Sequence, residues 1–240
     1  MSMHKYYSNN RDKFKKDLLG YLKLISKELE EKTKKNFQEI FDEIWTHYEK
    51  NMLEEFPYIG GDESSGTKNL TGAFGFVSMG EVLKTYGVSL EETGYLMVCS
   101  YERKMSRIPG FVKPIVKMVF SKTDFVNKLL LKKDAKNEEN VKQNPGSFIT
   151  KTQIPPEKGC DISYHNLYCP LSVFAREHGY EEYMPYLCNL DYVMFGMLGL
   201  PLMREHTCFE DGDYCDFKTR LTETPLPYWP PVFTQENGYK

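Results

Sequence analysis

Apolar side chains recur at helical spacing through most of the first 136 residues. One stripe begins at Phe14 and another at Phe37, and lysine and glutamate fill the positions between the apolar ones. This period predicts amphipathic helices that bury one face and leave the charged face in water. Ser89 and Glu92 have the spacing of a capping box, which predicts a further helix that ends before Pro109.

The stretch from Glu102 to Lys136 is basic. It carries ten Lys or Arg and three acidic residues, interleaved with large apolar side chains. Such a segment could lie on a membrane surface or meet an anionic partner. The apolar period favours another interpretation, a pair of helices that face the core and leave a basic face in solvent.

The apolar period changes to two after a polar, irregular segment at residues 136–145. Residues 148–154 alternate like a half-buried strand, and residues 160–165 follow as the hairpin partner. Two short helices and a second hairpin complete the pattern. The predicted fold class is α+β, with a helical N-terminal half packed on a C-terminal antiparallel sheet of order ββααββ.

This pattern divides the chain into three regions, which we expect to form one compact body. Residues 1–136 are the helical region, residues 147–222 the α+β core and residues 223–240 a proline-rich extended tail. Proline lacks the amide donor that a central strand needs, so we expect the tail to pack back through its aromatic side chains instead. Such a tail could cover a pocket.

The composition is that of a soluble globular protein, with 40% apolar and 27% charged residues. A net charge of -3 argues against nucleic acid as a partner. No window approaches the roughly 18 consecutive apolar residues of a membrane-spanning helix, and the first residues lack the apolar core of a signal peptide. We therefore expect a cytoplasmic protein without a membrane partner, in which the six cysteines are thiols, catalytic groups or ligands rather than disulfides.

Cys169 precedes Pro170, and proline prefers the first position of a helix. Cys169 is therefore predicted to be the N-cap of a helix that reaches about His178. The positive end of the helix dipole favours a thiolate there, which suggests a nucleophile or a metal ligand. A small buried residue is the alternative, and the sequence leaves both open.

Cys188 and Asp191 lie three residues apart on one face of the next predicted helix. The residues around Asp191 are nearly uncharged, so its carboxyl is expected near apolar surface, where burial raises its pKa. It could act as a general base or bind a cationic amidine. The alternatives are exposure to solvent and an ion pair with an arginine.

A turn at Asp211 and Gly212 would place Cys208 opposite Cys215 in the second hairpin. Arg204, His206, Cys208, Cys215 and Phe217 would then share one face, and Thr207, Asp216 and Lys218 the other. Arg204 could bind a substrate carboxylate through two parallel hydrogen bonds, or pair with Asp191 or Asp216.

The second half of the chain resembles a known hydrolase family. The matching segments are Cys169-Pro170, Leu187-Cys188-Asn189-Leu190-Asp191, Gly199, Arg204-Glu205-His206-Thr207 and Gly212-Asp213-Tyr214-Cys215-Asp216-Phe217. The last of these is the most specific, and together they resemble the L-2-amino-thiazoline-4-carboxylic acid hydrolase family. Residues 57–61 and Asn69 are more weakly similar to the first half of that family.

The resemblance implies hydrolysis of a carbon–nitrogen or carbon–sulfur bond in a small cyclic amidine. The named substrate, 2-aminothiazoline-4-carboxylate, would open to a product of the N-carbamoyl-cysteine type. Cys169 and Asp191 are the catalytic candidates, and a covalent and a direct-water route both stay open. The substrate-binding candidates are Arg204, Cys188, Thr207 and Asp216.

A second class of function is a sensor or adaptor without catalysis, with redox-responsive thiols and a bound ligand or metal. Five cysteines and His165 could supply zinc or an iron–sulfur cluster, although no C-x₂-C pair occurs. No cofactor is otherwise expected. The expected partner is a small molecule, and self-association stays open.

Overall fold

The computed structural model describes residues 3–210 and 212–235. Over these residues the chain forms ten α-helices and three β-strands. The elements are α1 (Lys5–Asn9), α2 (Arg11–Leu22), α3 (Ser26–Thr33), α4 (Phe37–Tyr48), α5 (Ser65–Thr85), α6 (Leu90–Met105), α7 (Val112–Phe120), α8 (Thr123–Gln143), β1 (Ile149–Thr152), β2 (Ile162–Tyr168), α9 (Pro170–His178), α10 (Met184–Leu198) and β3 (Cys215–Thr219).

The helical first half is confirmed, and so are its local start signals. Asn36 and Glu39 form a capping box at the start of α4, and Ser89 and Glu92 form another at the start of α6. Helices α2 to α6 and the early part of α10 bury one large apolar cluster. Among the described residues, no helix combines the length and the apolar character needed to cross a membrane.

The three strands form one antiparallel sheet of order β1-β2-β3. In its central register Tyr164 pairs with Phe217 and His165 pairs with Asp216. Five consecutive residues of β3 are buried, so this strand is covered on both faces. A second apolar cluster packs between β3, the end of α10 and the proline-rich tail.

The predicted strand around Arg204 is wrong. It is reduced over the described residues to one isolated bridge between Met203 and Lys218. The buried carboxylate of Asp216 explains the difference, because it accepts hydrogen bonds from the backbone N–H groups of Glu205 and His206 at 2.8–3.0 Å. Those two amides are turned toward a side chain, and the segment curls instead of extending.

The register of this segment also differs from the prediction. Lys218 pairs with Met203, where the predicted turn would have paired it with Glu205. A shift of two residues preserves the face on which each side chain lies, so Arg204 still lies against Phe217. Of the predicted turn residues, Asp211 lies outside the described residues, and Gly212 has a φ of 85°.

The basic stretch forms a pair of helices, as predicted, but the pair faces the core only in part: Val116 and Phe120 of α7 pack, partly buried, on the second apolar cluster. Over the described residues α7 has no buried residue, and α8 buries Val126 and Asp134. Helix α8 continues to Gln143, through the segment predicted to be irregular. Its polar side chains make tertiary contacts there: Asn137 donates to Thr150 Oγ1 at 2.8 Å, and Asn140 donates to the carbonyl of Ile59 at 3.1 Å.

Candidate functional site

Asp191 and Arg204 are in direct contact. Helix α10 carries Asp191 and ends at Gly199, whose left-handed φ of 73° turns the chain back toward β3. Arg204 Nη1 donates to Asp191 Oδ2 at 3.0 Å. The Arg204 side chain is 1% exposed, and its guanidinium carbon lies 4.4 Å from the centre of the Phe217 ring. The ion pair is therefore held on two sides by α10 and β3.

The carboxyl of Asp191 is surrounded by protein and yet remains accessible. Its side chain is 34% exposed. Burial nevertheless raises its pKa, and Arg204 offsets this effect only in part. We call the space next to the exposed part of this carboxyl the Asp191 recess.

Cys169 is the N-cap of α9, as predicted. Burial raises the pKa of its thiol to about 12, with a further contribution from Cys215. The backbone N–H groups of Ser172 and Leu171 at the start of α9 act in the opposite direction but do not prevail. The thiolate expected from the helix terminus is therefore disfavoured, because desolvation outweighs the helix dipole.

Cys188 lies one helical turn before Asp191 and is half-buried. Burial also raises the pKa of its thiol, and the positive charge of Arg204 opposes that rise. Cys169, Cys188 and Cys215 all lie within electrostatic range of Arg204. The fold thus gathers three thiols around the ion pair.

Cys215 has the most acidic thiol of this group. Interaction with the Cys208 side chain lowers its pKa from 9.0 to about 7, and the backbone N–H of Cys208 donates to Cys215 Sγ at 3.2 Å. The pKa of Cys208 is raised for the same reason. The sequence predicted that the two cysteines lie opposite each other. It gave no reason to assign Cys215 a role, because the pKa of Cys215 depends on its contact with Cys208 in the folded chain.

Tyr164 is a second residue near the ion pair for which the sequence predicted no role. Its ring stacks on Phe217, with centroids 4.7 Å apart and planes 6° from parallel. Burial raises the pKa of its hydroxyl, and Asp191 adds to the rise. The pairing of β2 with β3 places Tyr164 here, and no local motif announces it.

Thr207 and Asp216, two of the predicted substrate-binding residues, make hydrogen bonds to the segment around Arg204. Thr207 is fully buried and donates to Glu210 Oε2 at 2.8 Å, within its own turn. Burial opposes the charge of Asp216, but Lys218, 2.8 Å away, and the two backbone amides together lower its pKa. Both residues stabilise the segment that carries Arg204.

A cavity of about 490 Å³ borders the other side of this segment. Arg204, Lys218, Glu157 and Glu205 are among its lining residues. Lys218 Nζ lies 2.7 Å from Glu205 and 3.8 Å from Glu157. Arg204 therefore reaches both this cavity and the ion pair with Asp191.

A larger cavity, of about 680 Å³, lies in the helical half between α2 and the start of α5. Gly61 and Asn69, from the segments more weakly similar to the family, line it. None of the predicted site residues does. Its size alone does not link it to the ion pair of Asp191 and Arg204.

Among the described residues, no group of three or more His, Cys, Asp or Glu side chains is arranged to hold a metal ion. The six cysteines are free thiols. The suggested set of five cysteines and His165 thus does not come together as a ligand group in this part of the chain.

The order of elements from α7 to β3, together with the contact between Asp191 and Arg204, can be compared with known families. Residues 115–219 match the family model of L-2-amino-thiazoline-4-carboxylic acid hydrolase. The match supports the resemblance seen in the sequence. The matched residues include α8 to α10, all three strands and every residue that we predicted for the site of this chain. The chain has no significant match among curated proteins or solved structures.

Proposed function

We propose that the protein hydrolyses a small cyclic amidine that carries a carboxylate, with 2-aminothiazoline-4-carboxylate as the leading substrate. The contact between Asp191 and Arg204 inside the recess is the observation that carries this proposal. The family match, whose description names this substrate, supports it.

The ion pair suits a zwitterionic ligand. An amidinium group would be bound by the Asp191 carboxylate and a carboxylate by the Arg204 guanidinium. A guanidinium has five N–H donors in a planar arrangement, which suits it to bind more than one carboxylate, and Arg204 gives Asp191 one donor through Nη1. Because the pair and the ligand are each neutral overall, binding buries no uncompensated charge.

Asp191 would act as the general base. It removes a proton from a water molecule as the water oxygen attacks the ring carbon between nitrogen and sulfur. The resulting tetrahedral carbon expels the ring sulfur, which takes up the proton, and the product is an N-carbamoyl-cysteine. A carboxyl whose pKa is raised by burial is a stronger base than an ordinary aspartate, which favours this step.

Cys169 would then line the recess as a neutral thiol. The high pKa of Cys169 argues for water as the nucleophile, because a covalent route needs a thiolate. In this scheme the half-buried Cys169 and Cys188 shape the recess around the ring.

The test is incubation of the purified protein with 2-aminothiazoline-4-carboxylate, with the product identified by mass spectrometry. In ¹⁸O-labelled water, hydrolysis by either route places the label in the carbamoyl oxygen. Turnover with this labelled product supports the proposal. Ligand binding without turnover of this substrate or related cyclic amidines would count against it and favour the sensor or adaptor class.

A further inference from the structure

Helices α7 and α8 expose a row of large apolar side chains. Phe111 is 67% exposed, Ile115 47% and Met118 54%, and on α8 Phe125 and Leu129 are each 49% exposed. We call these five residues the apolar row. Isolated exposed apolar residues are ordinary, but five between residues 111 and 129 call for an explanation.

The fold does not use this row for its own packing. Helix α7 packs on the second apolar cluster through Val116 and Phe120, which are partly buried. Phe111, Ile115 and Met118 follow one another at spacings of four and three residues, so they form a separate stripe of the same helix. Helix α7 thus has one apolar side toward the core and another toward solvent.

The row lies within a basic segment of the chain. Residues 102–136 carry ten Lys or Arg and three acidic residues, in a protein whose net charge is -3. On α8, Lys128 and Lys132 each follow a row residue by three positions, so they are its neighbours on the helix surface. The acidic Asp134 is buried and accepts a hydrogen bond from Thr150, and therefore adds little to the charge of the surface.

We propose that the apolar row is a docking surface for membranes rich in anionic lipids. The row would enter the boundary between headgroups and acyl chains, and Lys122, Lys128 and Lys132 would contact the anionic headgroups. We expected no membrane partner from the sequence, and the exposure of the row is why we now propose one. This docking is independent of the hydrolase proposal.

Charge decides between the candidate partners. A second copy of this chain would bring two surfaces of the same positive charge together, which is unfavourable. An acidic protein is a second candidate, and its side chains would need a recess in which to bind. Neither cavity described above is lined by a residue of the row. An extended anionic layer with an apolar interior matches both the charge and the apolar side chains.

The first experiment is sedimentation of the full chain with lipid vesicles. Binding is expected to vesicles that contain phosphatidylserine, to weaken with added salt, and to be absent with phosphatidylcholine alone. A variant with Phe111→Ser, Ile115→Ser and Met118→Ser should lose binding. A control with Ile154→Ser and Leu167→Ser, two residues exposed elsewhere, should bind like the parent.

The second experiment tests whether binding depends on the lysines next to the row or only on the net charge of the protein. Changing Lys122, Lys128 and Lys132 to Glu should weaken binding at least about a hundredfold, since each lysine near an anionic surface contributes substantially. The same change at three exposed lysines of the first half, Lys16, Lys23 and Lys27, should have a much smaller effect. Circular dichroism should show that every variant is folded.

Three results would overturn the docking proposal. One is absence of binding to phosphatidylserine vesicles at low salt. Another is a lack of charge dependence, seen either as equal binding to neutral vesicles or as equal loss of binding in the two lysine variants. The third is self-association of the parent, measured by analytical ultracentrifugation, that the Phe111, Ile115 and Met118 variant abolishes, which would identify the row as an interface between copies.

Discussion

The guanidinium carbon of Arg204 lies 4.4 Å from the centre of the Phe217 ring, while Nη1 of the same group contacts Asp191. A planar cation can stack on a ring and keep its N–H donors in the plane, directed at a carboxylate. The ring thus fixes the direction in which Arg204 offers its donors.

The change Arg204→Lys should raise KM more than it lowers kcat. Lysine keeps the charge but loses the planar arrangement of donors and the stacking on Phe217. The expected loss in binding is about 1–3 kcal/mol, or roughly 5- to 150-fold in KM. Steady-state kinetics measures it, with Arg11→Lys in the helical half as the matched control. An unchanged KM would remove Arg204 from substrate binding.

The change Asp191→Asn should lower kcat by roughly 10²–10⁴-fold, because the amide keeps the shape of the side chain but cannot accept the proton. The pH profile provides a second readout. Burial raises the pKa of Asp191 above its ordinary value of 3.8, so the carboxylate form appears only at higher pH. Activity of the parent should therefore rise with pH above that value, and this limb should disappear in the variant. A limb that persists would assign the base to another group.

The change Cys169→Ser should keep kcat within about an order of magnitude, because a thiol with a pKa of about 12 is neutral at working pH. Kinetics of the variant under the same conditions tests this. Near-complete loss of activity, together with a substrate-sized mass adduct on the parent protein, would instead establish the covalent route.

The thiol of Cys215 should be the first to ionise. Its pKa of about 7, against an ordinary 9.0, means that thiolate appears as the pH rises through neutrality. Ultraviolet absorbance of the thiolate should show this step in the parent and not in Cys215→Ser. In Cys208→Ala the step should move to higher pH, because the Cys208 side chain that lowers the pKa is gone. A step that is unaffected by both changes would belong to a different group.

Asn189 is expected to hold the tail on α10. It is fully buried, its Nδ2 donates to the carbonyl of Tyr228, and its Oδ1 accepts from the backbone N–H of Val232, both at 2.9 Å. Asn189→Leu should destabilise the protein by about 2–4 kcal/mol, because two buried backbone groups lose their partners. Urea unfolding measures the loss. Gln38→Ala, which removes an exposed amide, should cost far less.

Local chemistry could be predicted from the sequence, and features that depend on distant neighbours could not. Two helix starts, one at Ser89 and one at Cys169, could be predicted from residues within three positions of each, and both are present. The strand predicted around Arg204 failed to form because the carboxylate of Asp216, ten and eleven positions away, binds its amides. The charge state predicted for Cys169 failed because burial, which depends on the whole fold, outweighs the helix terminus.

The same distinction applies to the candidate site. The spacing of Cys188 and Asp191 was enough to place them on one face, and an ion pair of Asp191 with an arginine was among the alternatives. No periodicity could show that Tyr164 would stack beside this pair or that Cys208 would acidify Cys215. These relationships arise only when β2, β3 and the segment around Arg204 come together.

Side chains along β3 alternate between two chemistries. Cys215 and Phe217 belong to the apolar cluster next to the Asp191 recess, whereas Asp216 and Lys218 form the ion pair on the opposite face. Deleting a single residue within this strand would exchange the two faces, placing a lysine against the apolar cluster and a phenylalanine among carboxylates. Evolution can therefore vary the composition of β3 one position at a time, but it can change the length of the strand only in steps of two.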